Sequence, residues 1–541
     1  MKITNIEIKN IRSHAHSESS LDDYTVFIGE NNSGKSNIFY SLRWFFGDIK
    51  LSKEDVTKNT SGNPEVTITC SSEDIPYQFL EGKLGEFKIK AFVKKEDLNK
   101  PQSPQYELLE PFSKKLKNKD IKELGNIIYV PSLRDLGDEL KFTANSTISK
   151  LVGKYLIENI KNPDDPKKNV YSDIVRDIER LSRILNSENG ASKSLERCIN
   201  KYMLDYPDIN LSFKLVAPET EELVKSSFTP CITSGTQELD LKSQGMGYQR
   251  SLIFSLLCSM TEIQNSEYTL YLVEEPELFL HPNHQLEFRN KLKELSTQEN
   301  SQTLINTHSP FFVNNVSDYS QIKRITRDIV SKVHEISSDE ISDICTANGQ
   351  LMAIAMDKTG AEHVDVAKNI AEEDKLRYLL WVNPERASAL FSKKVILVEG
   401  NTEKAVFSYL LNSKDGDLYN HPKKSDVVVI ETVGKYHFYK FANLLNYYGI
   451  NTWIFYDGDN DKETGPISQK YLNIIIEDMV NKGIIEGSFR INPYIEEYLG
   501  VSKCKINNDV EMYRHFENNT DTFKDSKNYK DFVNYVKKIL E

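Results

Sequence analysis

The feature that most constrains the fold is the glycine-containing stretch GENNSGKS at residues 29–36, which matches the pattern GxxxxGK[ST] in full. An apolar run at 24–28 precedes it, and apolar residues at helical spacing follow it. In such a strand–loop–helix unit, backbone N–H groups and the helix N-terminus surround phosphate oxygens. The pattern therefore predicts an α/β domain that binds a nucleotide through Gly29, Asn32, Gly34, Lys35, Ser36 and Asn37.

Individual roles follow from the chemistry of these side chains. Lys35 is expected to neutralise the β- and γ-phosphates, and Ser36 to bind the Mg²⁺ that accompanies ATP. A second apolar strand at 270–273 ends in Glu274 and Glu275, at the carboxyl end of the strand, where open α/β sheets bind ligands. We expect Glu274 to orient the water shell of the Mg²⁺ ion and Glu275 to polarise the attacking water.

Two further loops fit a nucleotide site. Ser243 and Gly245 lie in a loop before the apolar stretch 252–260, where their N–H groups would face the γ-phosphate held by another subunit. His308 follows an apolar run and stands where a γ-phosphate sensor belongs. Taken alone, His308 is more simply interpreted as a buried structural histidine.

Carboxylates also follow three apolar strands in the C-terminal third of the chain. The first strand, 395–398, leads to Glu399, Gly400 and Glu403, and the second, 426–430, leads to Glu431. The third, 451–456, leads to the acidic sequence DGDND at 457–461, in which Asp457 and Asp459 form a DxD motif. This order of strand, acid, glycine, strand and DxD is typical of a Toprim domain. Its carboxylates form an oxygen-rich site for Mg²⁺ or Mn²⁺, ions that assist phosphodiester chemistry.

The two motif sets together resemble one family. The ATPase motifs are similar to those of ABC-type ATPase heads of the SMC and RecF-like group. The sequences EEPE at 274–277 and THSP at 307–310 resemble those of the overcoming lysogenization defect (OLD) family, which joins such a head to a C-terminal Toprim endonuclease. In such heads two subunits sandwich ATP, so the resemblance implies a homodimer or tetramer.

The resemblance also implies further site residues. Glu496, with Glu497 as the alternative, would be a metal ligand on a downstream acidic helix beside Glu399, Glu403, Asp457 and Asp459. Lys527 or Lys530 would supply a basic residue near the scissile phosphate, and Arg134 would contact a nucleotide phosphate. Expected partners are phage or plasmid DNA and, in anti-phage defence, a UvrD-like helicase or a retron reverse transcriptase.

The predicted fold class is α/β: an ATPase head with an inserted helical dimerisation arm, followed by a Toprim domain. The expected divisions are the N-terminal part of the head at 1–145, the helical insert at 146–225, the C-terminal part of the head at 226–390 and the Toprim domain at 391–541. The residues after Lys503 are only weakly patterned.

The composition limits the kinds of partner and domain that the chain can have. The net charge of −12 argues against a basic coat for nucleic acid, although a local basic groove is compatible with it. The six cysteines form no CxxC pair, which excludes a zinc module such as a primase carries. The sequence has no secretory segment or membrane span, so we expect a cytoplasmic protein without a membrane partner.

Two alternatives to DNA cleavage stay open at this stage. The Toprim site recognises phosphates, so RNA such as tRNA is an equally compatible substrate. The chain is also compatible with an ATP-gated sensor or scaffold that binds nucleic acid or a partner and cuts nothing. A basic groove that leads to the carboxylates favours the nuclease, and an apolar patch there favours the scaffold.

Overall fold

The computed structural model describes residues 1–72, 77–81, 84–132, 231–234, 237–240, 268–278, 280–313, 318–358, 384–463, 467–501, 508–518 and 523–541, with a few residues between 176 and 187. The chain divides into two compact units, Met1–Ile127 with Glu267–Glu541, and Ile128–Ser266. Ser243, Gly245, Arg134 and nearly all of the predicted helical insert lie outside the described residues.

The strands, in chain order, are β1 (Lys2–Ile11), β2 (His14–Ser20), β3 (Tyr24–Gly29), β4 (Glu65–Ser72), β5 (Gly85–Phe92), β6 (Gln105–Glu110), β7 (Lys114–Leu116), β8 (Asn126–Val130), β9 (Cys231–Ser234), β10 (Gln237–Asp240), β11 (Thr269–Glu274), β12 (Ser301–Asn306), β13 (Ile322–Arg327), β14 (Ser331–His334), β15 (Lys394–Val398), β16 (Val427–Glu431), β17 (Asn451–Asp457) and β18 (Gly487–Ile491).

The α-helices are α1 (Lys35–Phe45), α2 (Asn118–Lys122), α3 (Pro282–Ser296), α4 (Ser338–Asp357), α5 (Pro384–Ser388), α6 (Asn401–Asn412), α7 (Phe438–Tyr447), α8 (Gln469–Asn481), α9 (Ile495–Tyr498), α10 (Asn508–Asn518) and α11 (Lys527–Leu540). Among the described residues, no helix is both long and apolar enough to cross a membrane.

An antiparallel sheet in the order β2-β1-β4-β5-β6-β7 begins the first unit. Strand β1 buries Ile3, Ile6, Ile8 and Ile11, which do not alternate strictly. The pairing of β1 with β4 shifts register between Ile3 and Asn5, and this irregularity returns the next isoleucines to the buried face.

A second sheet, in the order β14-β13-β3-β12-β11-β8, holds the phosphate-binding loop. Strand β3 pairs in parallel with β12 and β13, and β12 pairs in parallel with β11. Every residue of β3, β11 and β12 is buried, as expected for central parallel strands. Because these strands run in the same direction, Gly29 and Glu274 emerge at one edge of the sheet, with Asn306 between them.

The C-terminal sheet is fully parallel, in the order β16-β15-β17-β18. An aromatic core forms on one face, where the rings of Phe407 and Phe455 lie 4.9 Å apart and those of Phe455 and Phe532 lie 5.2 Å apart. Phe532 belongs to α11, in the weakly patterned tail, and this helix buries six residues along one face. The α/β fold class predicted from the sequence is thus confirmed, and the tail completes the core of the last sheet.

A buried arginine links the sheet that holds the phosphate-binding loop to the C-terminal sheet. Both sheets belong to the first unit. Arg324 of β13 donates hydrogen bonds to the carbonyl oxygens of Leu390 (3.1 Å) and Ser392 (2.7 Å), just before β15. It also donates to those of Tyr448 (2.8 Å) and Gly449 (3.2 Å), between α7 and β17. Strand β13 therefore pairs with the phosphate-loop strand β3 and also anchors the C-terminal sheet.

Candidate functional site

The phosphate-binding loop folds around the ammonium group of Lys35. Nζ of Lys35 donates to the carbonyl oxygens of Gly29 (2.9 Å) and Glu30 (2.8 Å), and the side chain is buried. Burial lowers the pKa of Lys35 to about 8, and the carboxylates of Glu275, Glu277 and Glu274 oppose that shift. These three charges act on Lys35 because the carboxylate loop after β11 lies beside the phosphate loop.

The loop is supported from behind by small polar side chains. Oγ of Ser331 donates to the carbonyl oxygen of Ser33 (2.5 Å), and Nε2 of His14 lies 3.0 Å from the carbonyl oxygen of Gly34. Gly34 has a φ of 113°, and a Cβ there would collide with the Oγ atoms of Ser331 and Ser13. Only glycine therefore fits at this turn into α1.

Of the other predicted residues of the loop, Ser36 and Asn32 are exposed, whereas Asn37 makes hydrogen bonds to the β1–β2 turn. Ser36 is exposed at the first turn of α1, and Asn32 is exposed with a φ of 63°. The amide of Asn37 instead donates to Oγ of Ser13 (2.7 Å) and accepts from Arg12 (3.4 Å), so it braces α1 against the β1–β2 turn.

Glu277 connects the carboxylate loop to the predicted sensor loop, a role that the sequence motif alone did not assign. Its carboxylate accepts hydrogen bonds from the backbone N–H of His308 (2.6 Å) and from Oγ1 of Thr307 (2.7 Å). Burial, and next the charge of Lys35, lower the pKa of His308 to about 4, so the imidazole is neutral near pH 7. Glu275 has a φ of 45° and donates its N–H to the carbonyl oxygen of Asn306 (2.7 Å).

Buried polar atoms at this edge fit a phosphate ligand and its water shell. Oγ of Ser33, and both the Nδ2 and Oδ1 atoms of Asn306, are buried and have no hydrogen-bond partner within the described ranges. Asn306 pairs with Glu274 in the register of β11 and β12. A buried polar group without a partner is costly, so these atoms suit a site that is completed by a polar ligand.

Three of the four Toprim carboxylates, those of Glu399, Glu403 and Asp457, are positioned by backbone hydrogen bonds at the carboxyl ends of β15 and β17. Oε1 of Glu399 accepts from the N–H of Asp457 (2.8 Å), and Oε2 of Glu403 accepts from the N–H of Gly400 (3.0 Å) at the start of α6. Oδ1 of Asp457 accepts from the N–H of Ile495 (3.1 Å) at the start of α9. The structure therefore brings together the acidic residues that the sequence placed after separate strands.

These carboxyl groups share a crowded, poorly solvated position. Burial raises the pKa of Glu399 to about 8 and that of Glu403 to about 7. Burial, followed by the charges of Glu403, Glu399 and Asp459, raises the pKa of Asp457 to about 9. Such a set holds protons in the absence of a cation and releases them when a cation binds.

A lysine that sequence reasoning missed lies among these acids. Nζ of Lys435 is 2.6 Å from Oδ2 of Asp459 and 3.6 Å from Oε1 of Glu399, and it also donates to Oδ1 of Asn473 (3.3 Å). A signal existed in the sequence, because Lys435 follows Gly434 just beyond a buried strand, as the predicted acids do. Of the two lysines that the resemblance implied as alternatives, Lys527 begins α11, and Lys530 on the same helix is paired with Asp525 (3.1 Å).

Glu496 is the acid of α9 that is buried near the cluster. It is 6% exposed and its charge acts on Glu403, whereas Glu497 is exposed and hydrogen-bonds with Tyr494. Glu431, at the end of β16, makes its contacts outside this cluster of acids.

The partners of Glu431 are both basic. Its carboxylate accepts from Arg386 of α5 (2.9 Å) and from Lys404 of α6 (2.7 Å). These ion pairs anchor α5 to the edge strand of the last sheet, so Glu431 has a structural position apart from the other acids.

The donor set fits a hard divalent cation, since the oxygens of Glu399, Glu403, Asp457 and Asp459 share one sheet edge. In the part of the chain that the structure describes, no three His, Cys, Asp or Glu side chains already stand at ligand distances. Within the same ranges, Lys435 is the cation that contacts Glu399 and Asp459.

Comparison with known proteins agrees with this division of sites. Residues 1–129 and 93–313 match the family described as AAA ATPase domain. Residues 390–459 match the family described as overcoming lysogenization defect protein-like, TOPRIM domain.

Three relatives are similar to most of the chain. The Old nuclease of Escherichia phage P2 is 24% identical over 494 residues, which cover 85% of this chain and 77% of the relative. Endonuclease GajA of Bacillus cereus (strain VD045) is 24% identical over 492 residues, covering 86% and 76%. The OLD nuclease of Thermus scotoductus (strain ATCC 700910 / SA-01) is 22% identical over 461 residues, covering 80% and 77%.

Among solved structures, the Smc head domain with a coiled coil and joint derived from Pyrococcus yayanosii aligns with a TM-score of 0.38 at 13% identity. It covers 62% of this chain and 98% of that one. The SMC head domain from Thermotoga maritima aligns with a TM-score of 0.32 at 16% identity, covering 62% and 100%. The phosphate loop lies in the matched ATPase segment, and Glu399, Asp457 and Asp459 lie in the matched TOPRIM segment. The chain therefore belongs to the AAA ATPase domain family and carries, after that domain, a segment that matches the OLD-like TOPRIM domain.

Proposed function

We propose that the chain is an ATP-regulated, metal-dependent endonuclease that cuts or nicks DNA at its Toprim site. The observation that carries the proposal is the convergence of Glu399, Glu403, Asp457 and Asp459 at one edge of a parallel sheet. The names of the relatives, which are nucleases, support the same reaction class.

The carboxylates would hold Mg²⁺ or Mn²⁺, and Glu496 would be a further ligand from α9. Such ions supply Lewis-acid activation of a water and of the phosphodiester when they are bound. The backbone N–H groups of Asp457, Gly400 and Ile495 keep three of the carboxylates oriented. Their raised pKa values mean that protons leave as the ion is taken up, so the site becomes fully ionised at neutral pH only when it is loaded.

The ATPase domain would bind ATP through Gly29, Asn32, Gly34, Lys35 and Ser36. Glu274 and Glu275 would face the Mg²⁺ shell and the attacking water, and neutral His308 would accept or donate a hydrogen bond near the γ-phosphate. Glu277 keeps His308 in register with the carboxylate loop through its bond to the backbone. We propose that two subunits complete each ATP site, with Ser243 and Gly245 facing the γ-phosphate of the opposite subunit.

The division into 1–145, 146–225, 226–390 and 391–541, with a dimerising helical insert, is part of this proposal. So are a homodimer or tetramer, a role in prokaryotic anti-phage defence, and a UvrD-like helicase or retron reverse transcriptase as partner. Light scattering of the full chain, with and without a non-hydrolysable ATP analogue, measures whether the chain forms a homodimer or a tetramer.

The primary experiment is cleavage of supercoiled plasmid by the purified full chain with Mg²⁺ or Mn²⁺, with and without ATP. We expect cleavage by the wild type, none by Asp457→Ala, and a changed ATP response in Lys35→Ala. If no metal supports DNA cleavage while ATP is still hydrolysed, DNA endonuclease activity is refuted for the isolated chain. Cleavage of tRNA in parallel reactions would then identify RNA as the substrate.

A matched pair of variants tests the assignment on α9. Glu496→Ala is expected to lower cleavage at least ~10-fold, the usual effect of losing a metal ligand or its orienting partner. Glu497→Ala removes an exposed carboxylate one residue away and should leave cleavage within about twofold of the wild type. Equal losses in both variants would contradict the assignment of Glu496 as a ligand.

A further inference from the structure

Among the described residues, Lys435 is the cation that contacts Asp459, and its side chain is more confined than those of its acidic partners. The Lys435 side chain is 1% exposed, whereas those of Glu399 and Asp459 are 20% and 29% exposed. Its ammonium also donates to Asn473 and lies 6.0 Å from the ring centre of Tyr456. The group therefore fills the space on the inner side of the two acids.

A divalent ion held by Glu399 and Asp459 would compete for this space. Mg²⁺ and Mn²⁺ sit roughly 2.0–2.2 Å from carboxylate oxygens, so an ion on Oδ2 of Asp459 lies within ~5 Å of an ammonium that contacts the same atom. Both cations are attracted by the same carboxylates and repel each other. The ammonium and the ion cannot both keep the contacts that Lys435 now makes.

The backbone around Lys435 is tied to the site, so displacement of the ammonium would have to come from the side chain. The N–H of Gly434 donates to the carbonyl oxygen of Glu399 (2.9 Å). Gly434 has a φ of 107°, and a Cβ there would lie 2.5 Å from Cε1 of Tyr436. Val433, just before it, has a φ of 60°, an unusual conformation for a β-branched residue. The loop thus keeps a defined path past the start of α6.

We propose that Lys435 is a positioning residue that occupies the metal position between Glu399 and Asp459 until a divalent ion displaces it. The lysine stabilises the acidic edge before loading and sets a threshold for metal binding. This inference rests on the proposed function, because it takes the acidic edge to be the metal site.

The test is Mn²⁺ binding to the full chain, measured by calorimetry or electron paramagnetic resonance in the absence of nucleic acid. We expect Lys435→Met to bind Mn²⁺ at least ~10-fold more tightly than the wild type. Even with water-like screening, a single charge about 5 Å from a divalent ion changes the binding constant by that factor. Lys470→Met is the matched control, since Lys470 is exposed on α8 and pairs with Glu463, and it should bind Mn²⁺ as the wild type does.

Rescue of thermal stability by Mn²⁺ gives a second readout, because loss of a purely structural lysine would lower the unfolding temperature whether or not the metal is bound. Without metal, Lys435→Met should unfold at a lower temperature than the wild type, because two acids lose their buried partner. Saturating Mn²⁺ should restore or exceed the wild-type unfolding temperature. Either Mn²⁺ affinity equal to or weaker than the wild type's, or a failure of Mn²⁺ to restore the unfolding temperature, would overturn the inference.

Asp457→Asn separates failure of this inference from failure of the proposed function. If Asp457→Asn abolishes Mn²⁺ binding and Lys435→Met does not tighten it, the acidic edge is a metal site and only the displacement is refuted. If Asp457→Asn binds Mn²⁺ as the wild type does, the acidic edge is not the metal site. The proposed function and the inference then fall together.

Discussion

Replacing Arg324 with alanine should weaken the attachment of the C-terminal sheet more than any exposed substitution on the same strand. The buried guanidinium donates to four carbonyl oxygens, those of Leu390, Ser392, Tyr448 and Gly449, at 2.7–3.2 Å. Loss of a donor to a buried acceptor costs about 1–3 kcal/mol. Since water will reach some of the four acceptors after truncation, we expect a total loss of about 3–5 kcal/mol.

The assay is urea unfolding of the full chain followed by tryptophan fluorescence, to which Trp453 of β17 contributes. Arg324→Lys should lie between the wild type and Arg324→Ala, because an ammonium cannot reach four divergent carbonyls. Arg327→Ala, at an exposed position at the end of β13, is the control and should change stability by less than about 0.5 kcal/mol. A loss below about 1 kcal/mol for Arg324→Ala would refute the reasoning that this arginine joins the sheets.

Three further outcomes follow from the geometry of the two sites. Gly434→Ala should lower nuclease activity at least ~10-fold with the fold intact by circular dichroism, because a positive φ and a ring contact both oppose a side chain there. Glu277→Gln should reduce ATP turnover several-fold at unchanged unfolding temperature, since the charge that holds the backbone of His308 is lost; wild-type turnover would contradict this role. In EDTA, the unfolding temperature should fall as the pH is raised from 6 to 9. The pKa values of Asp457 (about 9) and Glu399 (about 8) are raised in the folded protein, so these groups favour the folded state only while they stay protonated. Mn²⁺ should cancel that fall, and a metal-free protein equally stable at both pH values would show that these carboxyl groups are not coupled to folding.

The motifs that could be located from the sequence are those whose functional residues lie close together in the chain. Residues 29–36 carry both the predicted phosphate contacts and the turn that shapes them, and the strand-end position of Asp457 follows from an apolar run that any sheet would bury. Parallel strands bring their carboxyl ends to one edge, so the acids converge without any knowledge of the loops. The α/β class and the acidic cluster were therefore predictable.

The parts that were not predictable depend on contacts between distant residues. Glu431 follows a buried strand just as Glu399 does, yet it is neutralised by Arg386 and Lys404, which no local pattern reveals. Lys435 is one of many lysines, and its significance arises only when the sheet places it beside Asp459. Arg324 likewise reads as an ordinary strand residue until its four acceptors, 66 to 125 residues away, are in place.

Helix α4 has a consequence for how this chain can be recombined with its relatives. Its Ala355 packs with Leu472 and Ile475 of α8 and with Tyr439 of α7, and the carbonyl oxygen of Ala355 accepts from the N–H of Ser468. A fragment that starts at residue 391 would leave that apolar contact open to water and would lose Arg386 from the edge strand. Chimeras that exchange nuclease modules between relatives should therefore place the junction before residue 338, so that each module carries its own supporting helix.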